Sequence, residues 1–489
     1  MLLPLSNASP SPEPQIKKPK GPLDFKRNDP FKSLKAFLAA HYPSFNQPRI
    51  CLFLSIFFIQ ILLLVAFRSL PLSLHRRRQH FPSPFSTRHH QHLNQTVATI
   101  ATAPSIVKEE GSCEFGKIFV YELPSALNKE LVSNCDELNP WSSSCAALSN
   151  DGFGPVATGI SSVVPENLSP AWYWTDQFVS EILVHNRILN HKCRTQDPNN
   201  ASAFYIPFYA GLAVGKFLFF NYSSAKERDS HCEMMLKWVQ EQPYFQRNDG
   251  WDHFMTMGRI SWDFRRSKDK DWGSSCIYKQ GMRNITRLLI ERNPWDYFDV
   301  GVPYPTGFHP RRDDDVVQWQ DFVRNRNRKN LFCFAGAKRS LVKNDFRGLL
   351  LNHCRNASDS CRVVDCAGSK CSNGTSLILE TFLDSAFCLQ PRDLLIINTN
   401  GSCQGEPESY SVFIDRNEVK NGTTSIRKVL ESYSEDKIKR MREKVIEYIP
   451  KFVYARPQGG LETIKDAFDV AMDGVLRRFR EQGQPGFRW

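Results

Sequence analysis

Residues 251–254 read Trp-Asp-His-Phe and place the carboxylate of Asp252 beside the imidazole of His253. Either side chain can take a proton from a hydroxyl group when its pKa suits the reaction. Trp262 follows closely, and an aromatic ring can stack on the face of a sugar. The sequence therefore predicts Asp252 and His253 as catalytic residues. The alternative is a His–Asp pair that is hydrogen-bonded in a polar core.

A second group of candidate residues follows the apolar residues 331–334. The group consists of Gly336, Lys338, Arg339 and Arg347. Backbone N–H groups at a glycine turn, together with cations, suit the binding of a diphosphate. The sequence therefore predicts that this group contacts phosphates. The alternative is a surface loop with ordinary basic residues, because no complete glycine-rich fingerprint is present.

Aromatic residues that could hold an acceptor glycan lie further upstream. Trp172, Tyr173 and Trp174 form an unbroken aromatic run, which predicts an acceptor platform, although packing is the commoner use of such side chains. His185 lies on the apolar face of a helical pattern. We predict that it also contacts the acceptor. The alternative is a core histidine with satisfied hydrogen bonds.

Two segments carry groups that metal ions prefer. Residues 313–315 are three aspartates and contain the Asp-x-Asp pattern with which some nucleotide-binding enzymes hold a metal ion. They follow two arginines rather than a buried strand, so a solvated charged loop is the better interpretation. Four cysteines are closely spaced without the pattern of a zinc site, and they predict local disulfides of open connectivity. They are Cys354, Cys361, Cys366 and Cys371.

Continuous apolar runs must provide the strands that position these residues. They cover residues 118–123, 203–209, 331–334 and 387–389. Because the runs do not alternate, they predict parallel strands that are buried on both faces. Helical patterns lie between them, one capped by Thr175 and another by a box of Ser432 with Glu435. A further amphipathic pattern spans residues 461–479. The predicted fold class is α/β, with two Rossmann-like domains facing a cleft.

Composition is compatible with this architecture. The chain has 489 residues, of which 41% are hydrophobic and 23% charged, so its bulk is globular and long enough for two domains. The net charge of +12 fits nucleic acid, an anionic membrane or an anionic substrate such as a nucleotide sugar. The basic run at 324–329 is more typical of a solvated face or a contact with an acidic partner than of a nucleic-acid site.

One segment is apolar enough to cross a membrane. Residues 50–67 contain no charged side chain and are bracketed by Arg49 and Arg68, which predicts a spanning helix near the lower length limit. The positive charges on its two sides are nearly balanced, so they do not decide its orientation. Abundant cysteines and Asn-x-Ser/Thr triplets after the span favour an oxidising, glycosylating lumen. The predicted glycosylation sites are Asn94, Asn200, Asn221, Asn284, Asn356, Asn373, Asn400 and Asn421.

The sequence thus predicts a single-pass protein with a short cytosolic tail and a large luminal part. The predicted organisation is a disordered tail over residues 1–48, a signal-anchor helix over 49–68, a luminal stem over 69–112, one α/β domain over 113–325, a second α/β domain over 326–480 and a tail over 481–489.

Specific stretches in a fixed order resemble a known family. They include FVYELPSALNKEL, NPWSSSC, WYWTDQFVSEILVHNRIL, AFYIPFYAGL, WDHFMTMGRISWDFRR, DVGVPYPTGFHP, LFCFAGAKRS, FRGLLLNHCRNAS, FCLQP, YSVFI and LETIKDAFDVA, and they cover most of residues 113–475. The chain resembles plant exostosin-like glycosyltransferases of family 47, in particular the xyloglucan galactosyltransferases.

This resemblance implies a type II protein of the Golgi membrane with the two-domain GT-B fold. It implies that residues 113–325 form the acceptor-side domain and residues 326–480 the donor-side domain. It also implies inverting transfer of galactose from UDP-galactose to the xylosyl side chains of xyloglucan in cell-wall hemicellulose synthesis, without a required metal or other cofactor. The UDP phosphates would meet the loop from Gly336 to Arg347, and Asp252 and His253 would lie in the cleft. Other xyloglucan glycosyltransferases are expected as partners, and nucleic acid is not.

The chain departs from the family pattern at residues 392–405. After FCLQP the family continues with a turn, an arginine pair, a helix and a strand, whereas this chain runs into DLLIINTNGSCQG and resumes the pattern near Glu408. The missing segment would form much of the nucleotide-sugar pocket. We therefore expect glycan recognition to survive better than sugar transfer.

The departure leaves two alternatives to an active galactosyltransferase. One is an inactive truncated isoform that binds glycan or partner transferases. The other is a galacturonosyltransferase of the same family.

Overall fold

The computed structural model describes residues 113–140, 143–218, 223–339, 345–368, 371, 376–390 and 409–483. All of them belong to one compact unit. None of the helices in these ranges is long and apolar enough to cross a membrane. The predicted cytosolic tail, spanning helix and luminal stem lie outside the described residues, and so does the junction at 392–405.

The first half of the chain forms a parallel sheet. Its strands are β1 (Ile118–Val120), β2 (Arg194–Thr195), β3 (Ala203–Tyr205), β4 (His253–Ile260), β5 (Thr286–Glu291) and β6 (Asp299–Gly301). They pair in the order β2-β1-β3-β4-β5-β6, with Phe204 opposite His253 and Phe254 opposite Thr286. Every residue of β3 is buried. Both faces of the sheet are therefore covered, as the continuous apolar pattern predicts.

Helices of this half connect the strands and cover the sheet. They are α1 (Lys129–Ser133), α2 (Cys145–Leu148), α3 (Ser180–Leu189), α4 (Ala210–Leu218), α5 (Ala225–Gln240) and α6 (Pro243–Asn248). Thr175 does not cap α3, contrary to the prediction, because its hydroxyl donates to the carbonyl of Phe153 and contacts His309 Nε2. The helix begins later, at Ser180.

The second half forms a smaller parallel sheet. Helix α7 (Asp313–Asn325) leads into β7 (Asn330–Gly336), α8 (Phe346–Asn356), β8 (Cys361–Asp365), α9 (Ser376–Leu383) and β9 (Ser385–Cys388). The strands pair in the order β8-β7-β9. Among the described strands, β9 therefore has a neighbour on one side only. The parallel mixed α/β architecture confirms the predicted fold class at this level.

Four helices follow the second sheet, and the last of them returns to the first. They are α10 (Arg416–Asn421), α11 (Ile426–Glu431), α12 (Glu435–Tyr448) and α13 (Ala467–Gln482). The Phe479 ring of α13 contacts the Phe254 ring of β4, with 6.2 Å between their centroids, and both lie in the core of the first half. Packing therefore assigns α13 to the first half, although the predicted donor-side domain runs to residue 480. The other domain boundaries stay predictions.

The end of α12 follows the sequence prediction more closely than its start. The helix stops at Tyr448, ahead of Pro450, because proline cannot continue an α-helix. Its N-cap is Ser434, whose hydroxyl accepts from the N–H of Lys437. The predicted capping box that begins at Ser432 is therefore wrong, since Ser432 ends the preceding α11.

Disulfides cross-link segments within both halves of the protein. Cys354 pairs with Cys361, and Cys366 pairs with Cys371, which confirms the prediction of local disulfides and fixes their connectivity. Three further bonds stabilise the first half, where they join segments across loops. They are Cys113–Cys193, Cys135–Cys145 and Cys232–Cys276.

Candidate functional site

A group of polar side chains lies at the carboxyl edge of the first sheet, around β4. Parallel sheets bind ligands outside the carboxyl ends of their strands. Arg259 lies near the carboxyl end of β4, and Asp263 follows that strand. The segment before α3 and the first turn of α3 pack against the same place. They contribute Asp176, Phe178 and Glu181.

Glu181 is a buried carboxylate at the centre of this group. Its Oε1 accepts from the N–H of Gly211 at 2.5 Å and from the N–H of Gly258 at 2.8 Å, while Oε2 accepts from the N–H of Leu212 at 3.3 Å. Burial raises the pKa of Glu181 to about 7, against the opposing effect of these N–H groups and of Arg259. Glu181 therefore ties the start of α4 to β4 and titrates near neutral pH.

Arg259 links this buried carboxylate to the surface. Its guanidinium lies 4.1 Å from the centroid of the Phe178 ring, and its Nε donates to Asp263 Oδ2 at 2.6 Å. Asp176 is half-buried beside it and accepts from the N–H of Phe178 at 2.8 Å. Burial raises the pKa of Asp176, although Arg259 opposes the rise. A carboxylate with a raised pKa is a stronger base than an ordinary aspartate.

His185 lies one helical turn after Glu181, as part of α3. Its Nδ1 is 2.8 Å from the hydroxyl of Tyr209, which stands between β3 and α4. Burial lowers the pKa of His185 to about 4, and the positive charges of Lys129 and Arg194 lower it further. The imidazole is therefore neutral at neutral pH. The predicted acceptor role of His185 stays a prediction, and its place near the carboxyl end of β3 is compatible with it.

Asp252 and His253 lie at the opposite, amino end of β4. His253 is fully buried, stacks on Phe204 with 4.9 Å between ring centroids, and bonds Tyr121 through Nε2 at 2.9 Å. Its Nδ1 is 2.7 Å from Asp252 Oδ1. Burial lowers the pKa of His253, and the carboxylate of Asp252 only partly offsets this effect. Both ring nitrogens are occupied, so the geometry favours the structural alternative, and a catalytic role stays a prediction.

The aromatic run at 172–174 does not form an exposed platform. Trp172 and Tyr173 are buried, and Trp172 packs against Trp319 with 5.0 Å between ring centroids. The segment bridges to residues 307–308, where the N–H of Tyr173 donates to the carbonyl of Gly307 at 2.8 Å. Only Trp174 is partly exposed. The prediction of a stacking surface is therefore wrong for Trp172 and Tyr173, because packing uses their rings.

Other aromatic side chains are exposed in the segments that connect β4, β5 and β6 along the chain. Trp262 is 69% exposed, Tyr278 57% and Trp295 92%. Arg265 contacts two of these segments, since its guanidinium lies 5.9 Å from the Tyr278 ring centroid and donates to Asp296 at 2.7 Å. We call Trp262, Tyr278 and Trp295 the aromatic surface. The sequence signal for Trp295 is its place after the turn residues Asn293-Pro294, whereas Tyr278, between Ile277 and Lys279, has no comparable local signal.

The predicted phosphate-binding residues gather at the carboxyl end of β7. Gly336 ends the strand, and Lys338, Arg339 and Arg347 surround the start of α8. Burial lowers the pKa of the Arg347 guanidinium, and the like charge of Arg339 lowers it further. Within the described ranges, none of the three cations forms an ion pair at 4 Å or less. Their phosphate role stays a prediction that this clustering supports.

The backbone at the start of α8 already has an anionic partner. Asp345 caps the helix and accepts from the N–H of Arg347 at 3.1 Å and of Gly348 at 3.0 Å. It also accepts from the N–H of Arg339 at 2.8 Å. A diphosphate at this position would therefore contact the cationic side chains rather than these N–H groups.

The three aspartates at 313–315 are not a solvated loop. They begin α7, and Asp315 is fully buried in an ion pair with Arg311 at 2.8 Å. Asp313 accepts from the N–H of Thr463 at 2.8 Å. The prediction of a solvated loop is wrong for Asp313 and Asp315, because Asp315 is buried in its pair with Arg311 and Asp313 fastens the start of α7 to the residues before α13.

Most of the predicted glycosylation sites that lie among the described residues are at the surface. Asn200, Asn356 and Asn421 are exposed, and Asn284 is half-buried. Asn284 donates to Asp249 Oδ2 at 3.0 Å. The sites at Asn94, Asn221, Asn373 and Asn400 lie outside the described residues.

Comparison with known proteins supplies the context for this geometry. Xyloglucan galactosyltransferase XLT2 of Arabidopsis thaliana is 53% identical, with both chains covered completely. That alignment spans 519 positions against the 489 residues of this chain, a difference of 30. From the same organism, xyloglucan galactosyltransferase MUR3 is 34% identical over 78% of this chain and 65% of its own length. Xyloglucan-specific galacturonosyltransferase 1 is 35% identical over 76% and 58%.

The family model for the Exostosin GT47 domain matches residues 112–394. The match includes the first sheet, the cations after β7 and the whole of β9. It ends where the resemblance to the xyloglucan galactosyltransferases breaks off. With more than half of its length matched, the chain belongs to the Exostosin GT47 family of glycosyltransferases.

Proposed function

We propose that this protein transfers galactose from UDP-galactose to xylosyl side chains of xyloglucan. The observation that carries the proposal is the 53% identity to a xyloglucan galactosyltransferase along the complete chain. The galacturonosyltransferase relative is less similar, at 35%, which favours galactose over galacturonic acid as the transferred sugar. Full-length similarity to a transferase also favours an active enzyme over an inactive isoform.

The donor is proposed to bind at the carboxyl end of β7. In a GT-B arrangement the carboxyl edges of the two sheets line one cleft. Lys338, Arg339 and Arg347 would balance the negative charge of the UDP diphosphate, which grows as the bond to galactose breaks. These side chains can do so without a metal ion. Replacing Arg339 and Arg347 together by Ala is expected to raise KM for UDP-galactose much more than KM for the acceptor.

The acceptor is proposed to bind along the aromatic surface. Glucan and xylosyl rings present flat C–H faces that can pack on exposed indole and phenol rings. Trp262 directly precedes Asp263, and Asp263 pairs with Arg259 at 2.6 Å. Trp262 is therefore next in sequence to the residue that pairs with Arg259, and the half-buried carboxylate of Asp176 lies beside Arg259.

We propose Asp176 as the general base. It would take the proton from a xylosyl hydroxyl as that oxygen attacks the anomeric carbon of galactose, while the bond to UDP breaks on the opposite face. One direct displacement of this kind inverts the anomeric configuration. Its raised pKa and half-exposed position favour Asp176 over Asp252 and His253, which lie at the amino end of β4.

The test is transfer of radiolabelled galactose from UDP-galactose to a xylosylated xyloglucan oligosaccharide. A product whose label β-galactosidase releases is expected with UDP-galactose and not with UDP-galacturonic acid. Incorporation only from UDP-galacturonic acid would contradict the proposed donor. Absence of transfer from both donors, with intact acceptor binding, would point to the inactive isoform.

The base is tested by Asp176→Asn with Asp436→Asn as the matched control. Asp436 is exposed at the start of α12, far along the chain from the candidate site. Loss of a general base costs about 10²–10⁴ in rate, so kcat should fall by that order for D176N at unchanged thermal stability and stay unchanged for D436N. A D176N variant with wild-type kcat would rule Asp176 out.

We also propose a type II orientation in the Golgi membrane, with the described residues in the lumen. Five disulfides and the exposed sites at Asn200, Asn356 and Asn421 support an oxidising, glycosylating compartment. In sealed microsomes, residues 113–483 should resist added protease and should shift in mass after glycosidase treatment. Digestion without detergent would contradict this orientation.

A further inference from the structure

Two cysteines of the second sheet stand apart from the others. Twelve cysteines lie in the described ranges, and ten of them form the five disulfides. The remaining two, Cys333 in β7 and Cys388 in β9, are unbonded. They face each other with 3.3 Å between their sulfur atoms. Two thiols at this distance need little movement to form a covalent bond.

The backbone holds these thiols in place. Strands β7 and β9 run parallel, with Cys333 directly opposite Cys388 in the register. The N–H of Leu389 donates to the carbonyl of Cys333 at 2.9 Å. Cα atoms that face each other on neighbouring strands lie within the separation that a disulfide requires. A bond can therefore form without a change of strand register.

The surroundings give the two thiols different roles. Cys333 is buried, whereas Cys388 is exposed. The hydrogen bond from Cys333 lowers the pKa of the Cys388 thiol, burial of that thiol opposes the effect, and the charge of Arg328 lowers the pKa further. Cys388 is thus the exposed cysteine of the pair and the one whose thiol becomes a thiolate more readily, which is the property of an attacking thiol.

We propose that Cys333 and Cys388 form a sixth disulfide, which cross-links β7 to β9. The oxidant is a small disulfide such as glutathione disulfide. The Cys388 thiolate attacks one of its sulfurs and releases glutathione thiolate, which leaves a mixed disulfide on Cys388. Cys333 loses its proton to solvent, attacks the Cys388 sulfur and displaces the second glutathione. Two protein thiols are oxidised, and one glutathione disulfide is reduced to two glutathiones.

The cross-link joins the two strands that flank the proposed donor site. Strand β7 ends at Gly336, beside the cations, and β9 ends at Cys388, shortly before the residues where the family pattern breaks. Because β9 has one neighbouring strand within the described part of the chain, hydrogen bonds to β7 alone hold it in the sheet. A covalent bond to β7 would compensate for a missing outer strand.

Peptide mapping of the complete chain tests this proposal. The detergent-solubilised protein is treated with glutathione disulfide, blocked with N-ethylmaleimide, deglycosylated and cleaved with trypsin without reduction. Cys333 falls in peptide 330–338, and Cys388 falls in 371–392 together with Cys371. Since Cys371 is bonded to Cys366 in peptide 363–370, the expected product is three peptides joined by two disulfides.

The same map contains the results that would overturn the proposal. Recovery of peptide 330–338 alone, with maleimide on Cys333, after oxidation would show that the thiols do not pair. A link from 371–392 to peptide 393–416, which contains Cys403, would show that Cys388 has a different partner. No variant is needed for either result, so a folding defect cannot obscure the outcome.

Three serine variants sharpen the assignment. Cys388→Ser should release peptide 330–338 as a maleimide adduct, and Cys333→Ser should leave Cys388 labelled in 371–392. Cys403→Ser is the matched control and should leave the three-peptide product unchanged. Loss of that product in the Cys403→Ser variant would also contradict the pairing of Cys333 with Cys388.

Discussion

At the scale of single residues, Glu181 organises the carboxyl edge of the first sheet. One carboxylate accepts three backbone N–H groups from two elements, and the pKa of that carboxyl lies near neutrality. Neither property can be inferred from its place in an apolar helical pattern, because both depend on Gly211 and Gly258, which are distant in sequence. Glu181 is a positioning residue, because its hydrogen bond with the N–H of Gly258 holds the backbone next to Arg259.

Replacing Glu181 by Gln should make stability less dependent on pH. The pKa of Glu181 in the folded protein, about 7, lies above its ordinary value of 4.5, so folding favours the protonated form. This stabilisation is complete below the ordinary value and is lost as pH rises through about 7. The wild type should lose about 2–3 kcal/mol more than E181Q between pH 5 and pH 8.

Thermal or denaturant unfolding of both proteins at each pH measures this difference. Because both proteins carry the same other titratable groups, the difference between their pH profiles of unfolding free energy reports on Glu181. Identical pH profiles for wild type and E181Q would contradict the assignment of a near-neutral pKa to Glu181.

Gly258→Ala should destabilise the same edge through its added methyl group. The Cβ atom would lie 2.8 Å from the backbone oxygen of Phe178 and 2.8 Å from Glu181 Cγ. Overpacking against backbone costs about 1–3 kcal/mol, and a lower unfolding free energy by that amount is expected. Gly459→Ala is the matched control, because nothing lies within 4 Å of its added Cβ. Equal stabilities of the two variants would contradict the tight packing.

At the scale of elements, an ion pair fastens α13 to α3. Arg187 donates to Asp466 at 2.7 Å and to Asp469 at 3.2 Å, and both Arg187 and Asp466 are buried. Asp466 also accepts from the N–H of Ala455 at 2.7 Å. The last helix of the chain is therefore held to the first half by charge as well as by the apolar contacts of Phe468 and Phe479.

Removing the Asp466 carboxylate should lower the free energy of unfolding. Asp466→Ala leaves the Arg187 guanidinium buried beside Asp469 alone, and breaking a buried pair costs about 3–5 kcal/mol. Asp473→Ala on the same helix removes an ion pair with the exposed Lys465 and should cost less than about 1 kcal/mol. Denaturant unfolding compares the two, and a small loss for D466A would show that the pair does not hold the helix.

Elements with an uninterrupted apolar sequence could be predicted, whereas β4 could not. The runs at 118–123, 203–209, 331–334 and 387–389 each contain strand residues, because burial on both faces leaves no polar position. Strand β4 starts with His253 and carries Thr256 and Arg259, so it lacks that pattern. Asp252 and His253 therefore suggested an active-site loop, although the stacking on Phe204 places His253 in a core.

Site residues could be predicted where they are close together in the sequence. They could not be predicted where contacts between distant residues bring them together or bury them. The cations after Gly336 cluster because strand, turn and helix are consecutive. Trp172 is buried because Trp319, far along the chain, covers it, and the sequence carries no local sign of that contact. Asp176 gave no signal for the same reason, since its raised pKa comes from burial in the tertiary fold, against the opposing charge of Arg259.

At the scale of the whole molecule, the sheets of the two halves differ in their number of described strands. The first sheet has six strands, whereas three are described in the second. The alignment with XLT2 contains 30 more positions than this chain has residues. The family match ends at residue 394, next to the junction. The proposed donor site therefore lies at the sheet with fewer described strands.

Inserting the corresponding XLT2 segment between Pro391 and Glu408 should improve donor use. We expect a higher kcat/KM for UDP-galactose and an unchanged KM for the xyloglucan oligosaccharide, because the insertion adds to the second half alone. A scrambled segment of the same length is the control. An unchanged kcat/KM for the donor would show that the shorter chain already forms a complete donor site.

The return of α13 to the first sheet also sets the order in which the protein can be made. Arg187 and Asp466 are separated by 279 positions, so most of the chain must leave the ribosome before the first half can close. Until then Arg187 and the apolar face around Phe254 lack their partners and are exposed to aggregation. A nonsense mutation near the end of the gene would thus damage the first half, although the codons of that half are intact.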